Sequence, residues 1–163
     1  WASSGGLAQA VLGGWQIYWI GYLETGHRFN PSFSGSDPSN TNTIGGRPDR
    51  ICDGSLPADK RSIYRWFDTS CFAVPPPQGR YGNSGVNFLE GPGFNMQHLS
   101  IAKTFSFTER WKFTFTTAMA NVLNHPNFAL PGSNISTTSA GIVGGLVEGA
   151  KGRHIEIRGR IDF

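Results

Sequence analysis

The last ten residues of the chain alternate without interruption between apolar and charged side chains. The apolar positions of this alternation are Ile155, Ile157, Gly159, Ile161 and Phe163. The charged positions are Glu156, Arg158, Arg160 and Asp162. Because successive side chains of a β-strand point to opposite faces, this pattern predicts a strand with one apolar and one charged face. Such a strand suits a soluble sheet that covers a core or a membrane barrel whose apolar face meets lipid, and alternation alone leaves both open.

The same period of two predicts further strands earlier in the chain. Together with the terminal one, the four predicted strands lie near residues 15–24, 95–105, 111–123 and 153–163. The first is crowded with Trp and Tyr, which favour both strands and membrane interfaces. The middle two are separated by the short connection 106–110, and they predict an antiparallel hairpin.

Two long segments between these strands are rich in residues that break regular structure. Residues 25–93 contain Asn30-Pro31, Arg47-Pro48 and Pro75-Pro76-Pro77, and residues 124–152 form a second such segment. We predict loops there, with a short helical turn near residues 60–67, because proline cannot donate to a ladder. Loops of this length are unusual in compact domains but normal on one side of a membrane barrel.

The pattern as a whole predicts an all-β, antiparallel fold of about four long strands and two long loops, with residues 1–163 forming a single β-rich segment. Residues 1–14, which are small and Gly-rich, are predicted to be the end of one more strand and a tight turn. Leu7, Ala10 and Val11 offer a brief helical turn as the alternative.

Composition narrows the function classes. Only 15% of the residues are charged, the net charge is +3 and the basic residues are scattered, so nucleic-acid binding has no support. No run approaches the roughly 18 apolar residues of a membrane-spanning helix, which excludes a helical span but not a barrel. The chain opens on Trp1 without a signal peptide, and we expect a mature form or a fragment of something longer.

Two cysteines, Cys52 and Cys71, lie in the same Pro- and Gly-rich loop, and neither has a His beside it. This arrangement predicts a disulfide rather than a metal site, with two free thiols as the alternative. A disulfide would indicate an oxidising compartment.

An ordered set of short motifs resembles one family of membrane proteins. In chain order the motifs are Gly14-Trp15-Gln16-Ile17, Gly46-Arg47-Pro48-Asp49-Arg50, Arg65-Trp66-Phe67-Asp68, Gly79-Arg80-Tyr81-Gly82-Asn83-Ser84-Gly85, Gly91-Pro92-Gly93-Phe94-Asn95 and Asn121-Val122-Leu123-Asn124-His125-Pro126-Asn127-Phe128. With the alternating strand that ends on Phe163, the set resembles the carboxyl-terminal part of TonB-dependent outer-membrane receptors. The resemblance is to the large acidobacterial type with a carboxypeptidase-regulatory-like amino-terminal domain.

This resemblance implies a barrel of about 22 strands with a plug, which takes up a bulky nutrient, a glycan or a peptide, with energy from an inner-membrane complex. It implies the bacterial outer membrane as the location, with the long loops facing outward. It also implies that the carboxyl-terminal strand is the signal for assembly into that membrane. The residues that would carry this signal are Ile155, Ile157, Ile161 and Phe163.

The sequence departs from that family in having no plug, no TonB-contacting box and only about four of the strands, whereas closure needs at least about eight. We therefore expect the rest of the receptor barrel and its plug as partners, or self-association through open strand edges. The alternative to a membrane barrel is a soluble protein, secreted or periplasmic, in which the chain folds differently.

An enzymatic function is the second interpretation of these long loops. The sequence lacks GxSxG, HExxH, phosphate-loop and CxxC motifs, its four histidines are far apart, and we expect neither a metal nor a cofactor. If the chain is a soluble hydrolase of carbohydrates, the candidate catalytic carboxylates are Asp49, Asp53, Asp68 and Glu90. The structural alternative is that these acids cap turns and pair with Arg47, Arg50, Arg61 and Arg65.

A ligand-binding module is the third interpretation of the sequence. Aromatic side chains in the first long loop could stack on a glycan or contact a peptide, with an arginine supplying hydrogen bonds. The predicted ligand-binding residues are Tyr64, Arg65, Trp66, Phe67 and Tyr81. The alternative is that these aromatic residues form a cluster that anchors the loop.

Overall fold

The structure is a computed structural model that describes residues 6–163, without the side chains of Leu7 and Gln9. The helical elements of this part of the chain are α1 (Leu7–Leu12) and the 3-10 helices Ala58–Lys60 and Thr69–Cys71. Its strands are β1 (Trp15–Glu24), β2 (Arg28–Phe29), β3 (Asp49–Arg50), β4 (Phe72–Ala73), β5 (Leu89–Glu90), β6 (Phe94–Ser106), β7 (Lys112–Ala120) and β8 (His154–Asp162). The predicted fold class, all-β and antiparallel with about four long strands and two long loops, is confirmed.

The four long strands form one sheet in the order β1-β6-β7-β8. Strand β6 pairs with β7 from Leu99↔Met119 to Ser106↔Lys112, and β7 pairs with β8 from Lys112↔Asp162 to Ala120↔His154, both antiparallel. Residues 107–111 close the β6–β7 hairpin, where Phe107 N–H donates to the Trp111 carbonyl at 3.0 Å. In both pairs odd-numbered residues face odd-numbered residues, so the odd-numbered side chains of β6, β7 and β8 share one face, as the alternating sequence requires.

Two local predictions need correction. The structure has helix α1 at Leu7–Leu12, so the favoured prediction of a strand end and a turn is wrong for these residues and the alternative, a helical turn, is correct. The part of that prediction on residues 1–5 lies outside the described residues. The helical turn predicted near residues 60–67 falls instead at Ala58–Lys60, because residues 62 and 65 pair across a tight turn and hold the chain extended. Among residues 6–163, no helix combines the length and the apolar character needed to cross a membrane.

Contacts divide the chain into two compact units. The sheet unit contains the four long strands and comprises, within the described part of the chain, residues 6–23, 95–126 and 151–163. The loop unit comprises Glu24–Phe94 and Asn127–Ala150, which correspond to the two long segments without predicted strands. Both segments are therefore folded together and not as separate loops.

The loop unit has a small aromatic core. Its buried members are Phe29, Phe67, Cys71, Phe72 and Leu89, with Trp66, Phe88 and Ile135 packed against them. The Phe67 ring makes edge contacts with Phe29 and Phe72, with centroids 5.7 Å and 5.8 Å away. Each fully buried ring contributes about 1.5–3 kcal/mol, enough to organise a segment that has little regular structure of its own.

Backbone hydrogen bonds join the two segments of the loop unit. Ser32 N–H donates to Ser133 O at 2.9 Å, and Ile135 N–H donates back to Ser32 O at 2.8 Å. Farther along, Trp66 N–H donates to Gly141 O at 2.8 Å and Val143 N–H to Ile63 O at 2.7 Å. These bonds satisfy backbone groups that long strands would otherwise pair.

The predicted disulfide is confirmed: Cys52 and Cys71 are bonded, with their Cα atoms 4.8 Å apart and a sequence separation of 19. The bond lies beside the short β3–β4 pair, in which Arg50 faces Phe72. Ile51 N–H donates to Cys71 O at 2.8 Å, so the backbone is paired next to the bridge as well.

Candidate functional site

One face of the sheet unit is apolar and exposed. This apolar sheet face contains Trp15, Ile17, Trp19 and Leu23 of β1, Leu99, Ile101 and Phe105 of β6, Phe113, Phe115 and Met119 of β7, and Ile155, Ile157 and Ile161 of β8. Ile157 leaves 66% of its surface exposed, and the outer strands β1 and β8 are exposed along almost their whole length. A soluble sheet would cover such a face, since exposed apolar patches of this extent mark a surface that meets another apolar phase.

On the opposite face, the charged side chains of β8 form pairs. On β8, Arg158 binds the Glu156 carboxylate through two hydrogen bonds of 2.7 Å. Arg160 and Asp162 form the next pair at 2.6 Å. Pairs two residues apart on one strand lie on one face, so the charges stay together on the side away from the apolar residues.

Lys103 is the exception on the apolar sheet face, and it is buried. Its ammonium donates to the Val11 carbonyl at 3.1 Å and to the Gly13 carbonyl, both at the carboxyl end of α1. The rings of Trp15 and Phe105 lie 5.1 Å and 5.3 Å from the same nitrogen. The charge is thus screened by carbonyl oxygens and aromatic faces, and α1 covers it.

Aromatic rings gather where the β6–β7 hairpin turns. Trp111 stacks on Phe163 with centroids 5.4 Å apart, and Phe105 stacks on Phe113 at 6.4 Å. Phe107, within the turn, is exposed. A ring of aromatic side chains at one end of an apolar sheet face is typical of a membrane–water interface.

The end of β7 is held by two asparagines of the motif that starts at Asn121. Asn121 is buried, has a left-handed backbone with φ 49°, and donates through its side-chain amide to His125 O at 3.0 Å and Lys151 O at 3.1 Å. Asn124, with φ 52°, accepts a hydrogen bond from Arg153 N–H at 3.0 Å. Asparagine tolerates this conformation and can bond nearby backbone, so the motif ties the end of β7 to the start of β8.

Two of the Gly-rich motifs form one polar centre in the loop unit. The Asp49 carboxylate accepts hydrogen bonds from both terminal nitrogens of Arg80, at 2.8 Å and 2.7 Å, and from Asn83 N–H at 3.1 Å. Asn83 in return accepts from Arg50 N–H at 2.7 Å. A Cβ at Gly82 would lie 2.1 Å from the Arg47 carbonyl oxygen, so only glycine permits this approach.

The motif Arg65-Trp66-Phe67-Asp68 contributes to both the core and the surface of the loop unit. Phe67 is 1% exposed and packs in the aromatic core, and the Trp66 indole donates to Glu90 O at 2.8 Å. Asp68 caps the 3-10 helix that follows, accepting from Ser70 N–H, and binds Arg65 at 2.9 Å. Phe67 therefore fits the anchoring alternative, since a buried ring offers no surface to a ligand.

Tyr64 and Tyr81 are the predicted ligand-binding aromatic residues that the structure leaves accessible. Tyr64 is 77% exposed and lies in a tight turn closed by Ser62 and Arg65, whose backbones exchange hydrogen bonds of 3.0 Å and 3.1 Å. Tyr81 is 60% exposed, and its hydroxyl lies 3.3 Å from Thr41 Oγ1. Both rings could stack on a ligand without any rearrangement of the core.

All four candidate catalytic carboxylates have arginine partners. Asp53 binds Arg50, and Glu90 lies 3.6 Å from Arg28, in addition to the Asp49–Arg80 and Asp68–Arg65 pairs. Among the arginines predicted to pair with these carboxylates, Arg50 and Arg65 do so. Arg61 instead donates to the Leu56 carbonyl at 2.7 Å. The partners Arg80 and Arg28 were not expected, because they come from distant parts of the chain.

The electrostatics do not favour a hydrolase. Hydrogen bonds from Arg80 hold the pKa of Asp49 below its ordinary value, and hydrogen bonds from Ser70, with Arg65, lower the pKa of Asp68. A general acid of glycoside hydrolysis needs the opposite, a carboxyl group that stays protonated near neutral pH. Within residues 6–163, no three His, Cys, Asp or Glu side chains are grouped so that they could hold a metal ion.

Sequence reasoning missed two features for different reasons. Lys103 could have been singled out, because it is the one charged residue on an apolar alternation. The sequence signal for the Asp49–Arg80 pair was weaker, since it consisted of one charged residue in each of two Gly-rich motifs. Only the folded backbone brings the two residues together.

The exposed apolar face on an antiparallel sheet defines a class of protein, one whose strands contact lipid. A family model described as outer membrane beta barrel domain matches residues 1–156. The chain therefore belongs to the family of outer membrane β-barrel domains, and its location is the bacterial outer membrane. The comparison with curated proteins finds no match, and neither does the comparison with solved structures.

Proposed function

We propose that this chain is part of a TonB-dependent receptor that takes up a bulky nutrient, a glycan or a peptide, across the outer membrane. The observation that carries the proposal is the apolar sheet face, in which Ile157 and its neighbours are exposed on two outer strands. The family match supports the barrel part, and the order of the loop motifs supports the receptor type.

The partners in this proposal are the other strands of the barrel and its plug. Strands β1 and β8 are at the two ends of the sheet order, so each offers one edge to a further strand. Open edges are unfavourable in lipid because their N–H and C=O groups have no water to bind. The residues proposed to direct β8 into the membrane are Ile155, Ile157, Ile161 and Phe163.

The loop unit is the proposed ligand-binding part, facing outward. Tyr64 and Tyr81 would contact the ligand with their exposed rings, and Arg65 would add hydrogen bonds from the same turn as Tyr64. The disulfide and the aromatic core keep these groups in place, which lowers the entropy cost of binding.

Energy-dependent uptake tests the receptor type. Cells that express the whole protein, with or without a functional TonB, are given fluorescent oligosaccharides or oligopeptides. The amount of label that crosses the outer membrane into the periplasm is measured. Accumulation that depends on TonB supports the proposal. Equal accumulation without TonB would identify a passive barrel instead.

Ligand contact by the loop unit is tested with Tyr64→Ala and Tyr81→Ala, with Ile44→Ala as the matched control. Each tyrosine is expected to contribute about 1–2 kcal/mol, or roughly five- to thirtyfold in affinity. Ile44 is exposed in the same unit but carries no polar group, so its loss should change little. Equal binding by all three variants would show that the ligand contacts another surface.

A further inference from the structure

A cavity of about 180 Å³ lies within the loop unit. None of the predicted ligand-binding residues is in its lining. Its apolar lining comes from both segments of the unit, with the side chains of Pro92, Phe94, Phe128, Leu130 and Val147. Complete sites for small molecules usually measure about 300–1,000 Å³, so this cavity has room for one side chain and not for a whole ligand.

Close backbone contacts build the wall of this cavity. Gly91 N–H donates to the His27 carbonyl at 2.9 Å, and a Cβ at Gly91 would lie 2.3 Å from Leu130 Cδ2. On the other segment, Val147 N–H donates to Asn127 O at 2.9 Å, which places Val147 beside the pair formed by Phe128 and Leu146. Backbone contacts from both segments therefore position the residues that line the cavity.

The rim of the cavity carries a carboxylate. Glu24 Oε2 lies 3.8 Å from His27 Nε2, and their side chains are 54% and 79% exposed. The lining contains no lysine or arginine, so the carboxylate is the charge that a ligand meets. A cationic group is attracted to this rim, whereas the apolar wall offers few partners to the hydroxyl groups of a sugar ring.

We propose that the cavity receives one apolar side chain of a cationic peptide, with an ammonium group of that peptide beside Glu24. This inference rests on the proposed receptor function and selects the peptide from its two nutrient classes. The apolar side chain would lose its water against Phe94, Phe128 and Leu130, which is the main source of affinity.

The test uses the intact protein in detergent and the tripeptides Lys-Xaa-Lys, in which Xaa is Ala, Leu or Phe. Burial of the larger side chain predicts that Leu or Phe binds about ten- to a hundredfold more tightly than Ala. Val147→Phe places a ring in the cavity and should remove this preference, whereas Leu146→Phe places the same ring at a neighbouring residue outside the lining and should keep it. Glu24→Gln should weaken all three peptides and reduce the dependence of binding on salt.

The outcomes separate this inference from the receptor proposal. Equal affinity for Ala and Phe peptides would overturn the inference, and that comparison needs no variant. A preference that survives Val147→Phe, or binding of an oligosaccharide such as cellohexaose in place of the peptides, would also overturn it while leaving the receptor function in place. Cavity-dependent peptide binding without TonB-dependent uptake would retain the site and refute the receptor.

Discussion

The Asp49 carboxylate and the Arg80 guanidinium bind each other through two parallel hydrogen bonds of 2.8 Å and 2.7 Å, although the residues lie in different motifs of the chain. Asp49 is largely covered, with 16% of its side chain exposed, and Arg80 is 43% exposed. This pair joins the motif that contains Asp49 to the motif that contains Arg80, two segments of the loop unit.

Arg80→Ala should loosen the polar centre around Asp49. The variant removes both guanidinium bonds and leaves the carboxylate with Asn83 N–H alone. We expect amide hydrogen exchange in residues 47–51 and 79–84 to become about three- to tenfold faster, measured by mass spectrometry on the intact protein. Arg28→Ala is the control, because its pair with Glu90 is longer, at 3.6 Å, and more exposed. Similar effects of the two variants would contradict a special role of Asp49.

Acid should destabilise the loop unit in a defined pH range. The pKa values of Asp49 and Asp68 in the folded protein lie below their ordinary value of 3.8. Their contribution is therefore fully present well above pH 3.8 and is lost as the pH falls through the lowered pKa values. The measurement is exchange or protease resistance of the loop unit against pH.

Asp68→Asn should reduce this loss of stability in acid, since an amide has no proton to bind in that range. It should also lower stability at neutral pH, because the bond to Arg65 loses its charge. Asp59→Asn serves as the control, because Asp59 forms no ion pair in the part of the chain that the structure describes. An unchanged acid profile in Asp68→Asn would show that other groups cause the transition.

Loss of the disulfide should affect the loop unit and spare the sheet unit. The bridge closes a loop between residues 52 and 71, and loops of this size contribute about 3 kcal/mol by restricting the unfolded chain. Cys52→Ser with Cys71→Ser should therefore speed proteolysis of residues 25–93 while β6, β7 and β8 stay protected. The wild-type protein treated with a reductant should behave like the double variant. Equal loss of protection in both units would refute a local role for the bridge.

Labelling with cysteine tests which face of β8 meets lipid. Ile157→Cys should resist a membrane-impermeant maleimide in the assembled outer membrane, because its side chain lies on the apolar sheet face. The neighbouring Arg158→Cys points to the opposite face and should react. As a second measurement, Ile157→Lys should cost about 2–4 kcal/mol if the position is near the bilayer midplane. Fast labelling at both positions would contradict a lipid-facing sheet.

The stacked pair of Trp111 and Phe163 should stabilise the assembled barrel. Trp111→Ala and Phe163→Ala are each expected to lower the amount of protein in the outer membrane, with a coupling of about 0.5–1.5 kcal/mol in a double-mutant cycle. The readout is the folded fraction by heat-modifiable gel mobility. Phe107→Ala in the same turn is the control, because the Phe107 ring is exposed like the pair but stacks on no other ring in the part of the chain that the structure describes. Normal membrane levels of Phe163→Ala would refute the assembly role proposed for β8.

The alternating pattern alone was sufficient to predict the sheet. In β8 and in most of the β6–β7 hairpin, apolar and polar side chains alternate with a period of two, which requires odd-numbered residues to pair with odd-numbered ones. That the chain acts as a single β-rich segment from residue 1 to residue 163 stays a prediction. For α1, the sequence offered a helical turn only as the alternative to a strand end, because six residues give almost no periodic signal.

The tertiary structure decided the loop unit. Proline- and glycine-rich segments carry no period from which pairing could be inferred, and the hydrogen bonds between Ser32 and residues 133 and 135 cross about a hundred residues of sequence. Whether Phe67 contacts a ligand or the core depended on burial, which the motif around it does not encode. Local alternation therefore determined which side of each long strand is apolar. The positions of Asp49, Arg80 and Phe67 were determined by contacts between distant segments, which form only when the whole chain has folded.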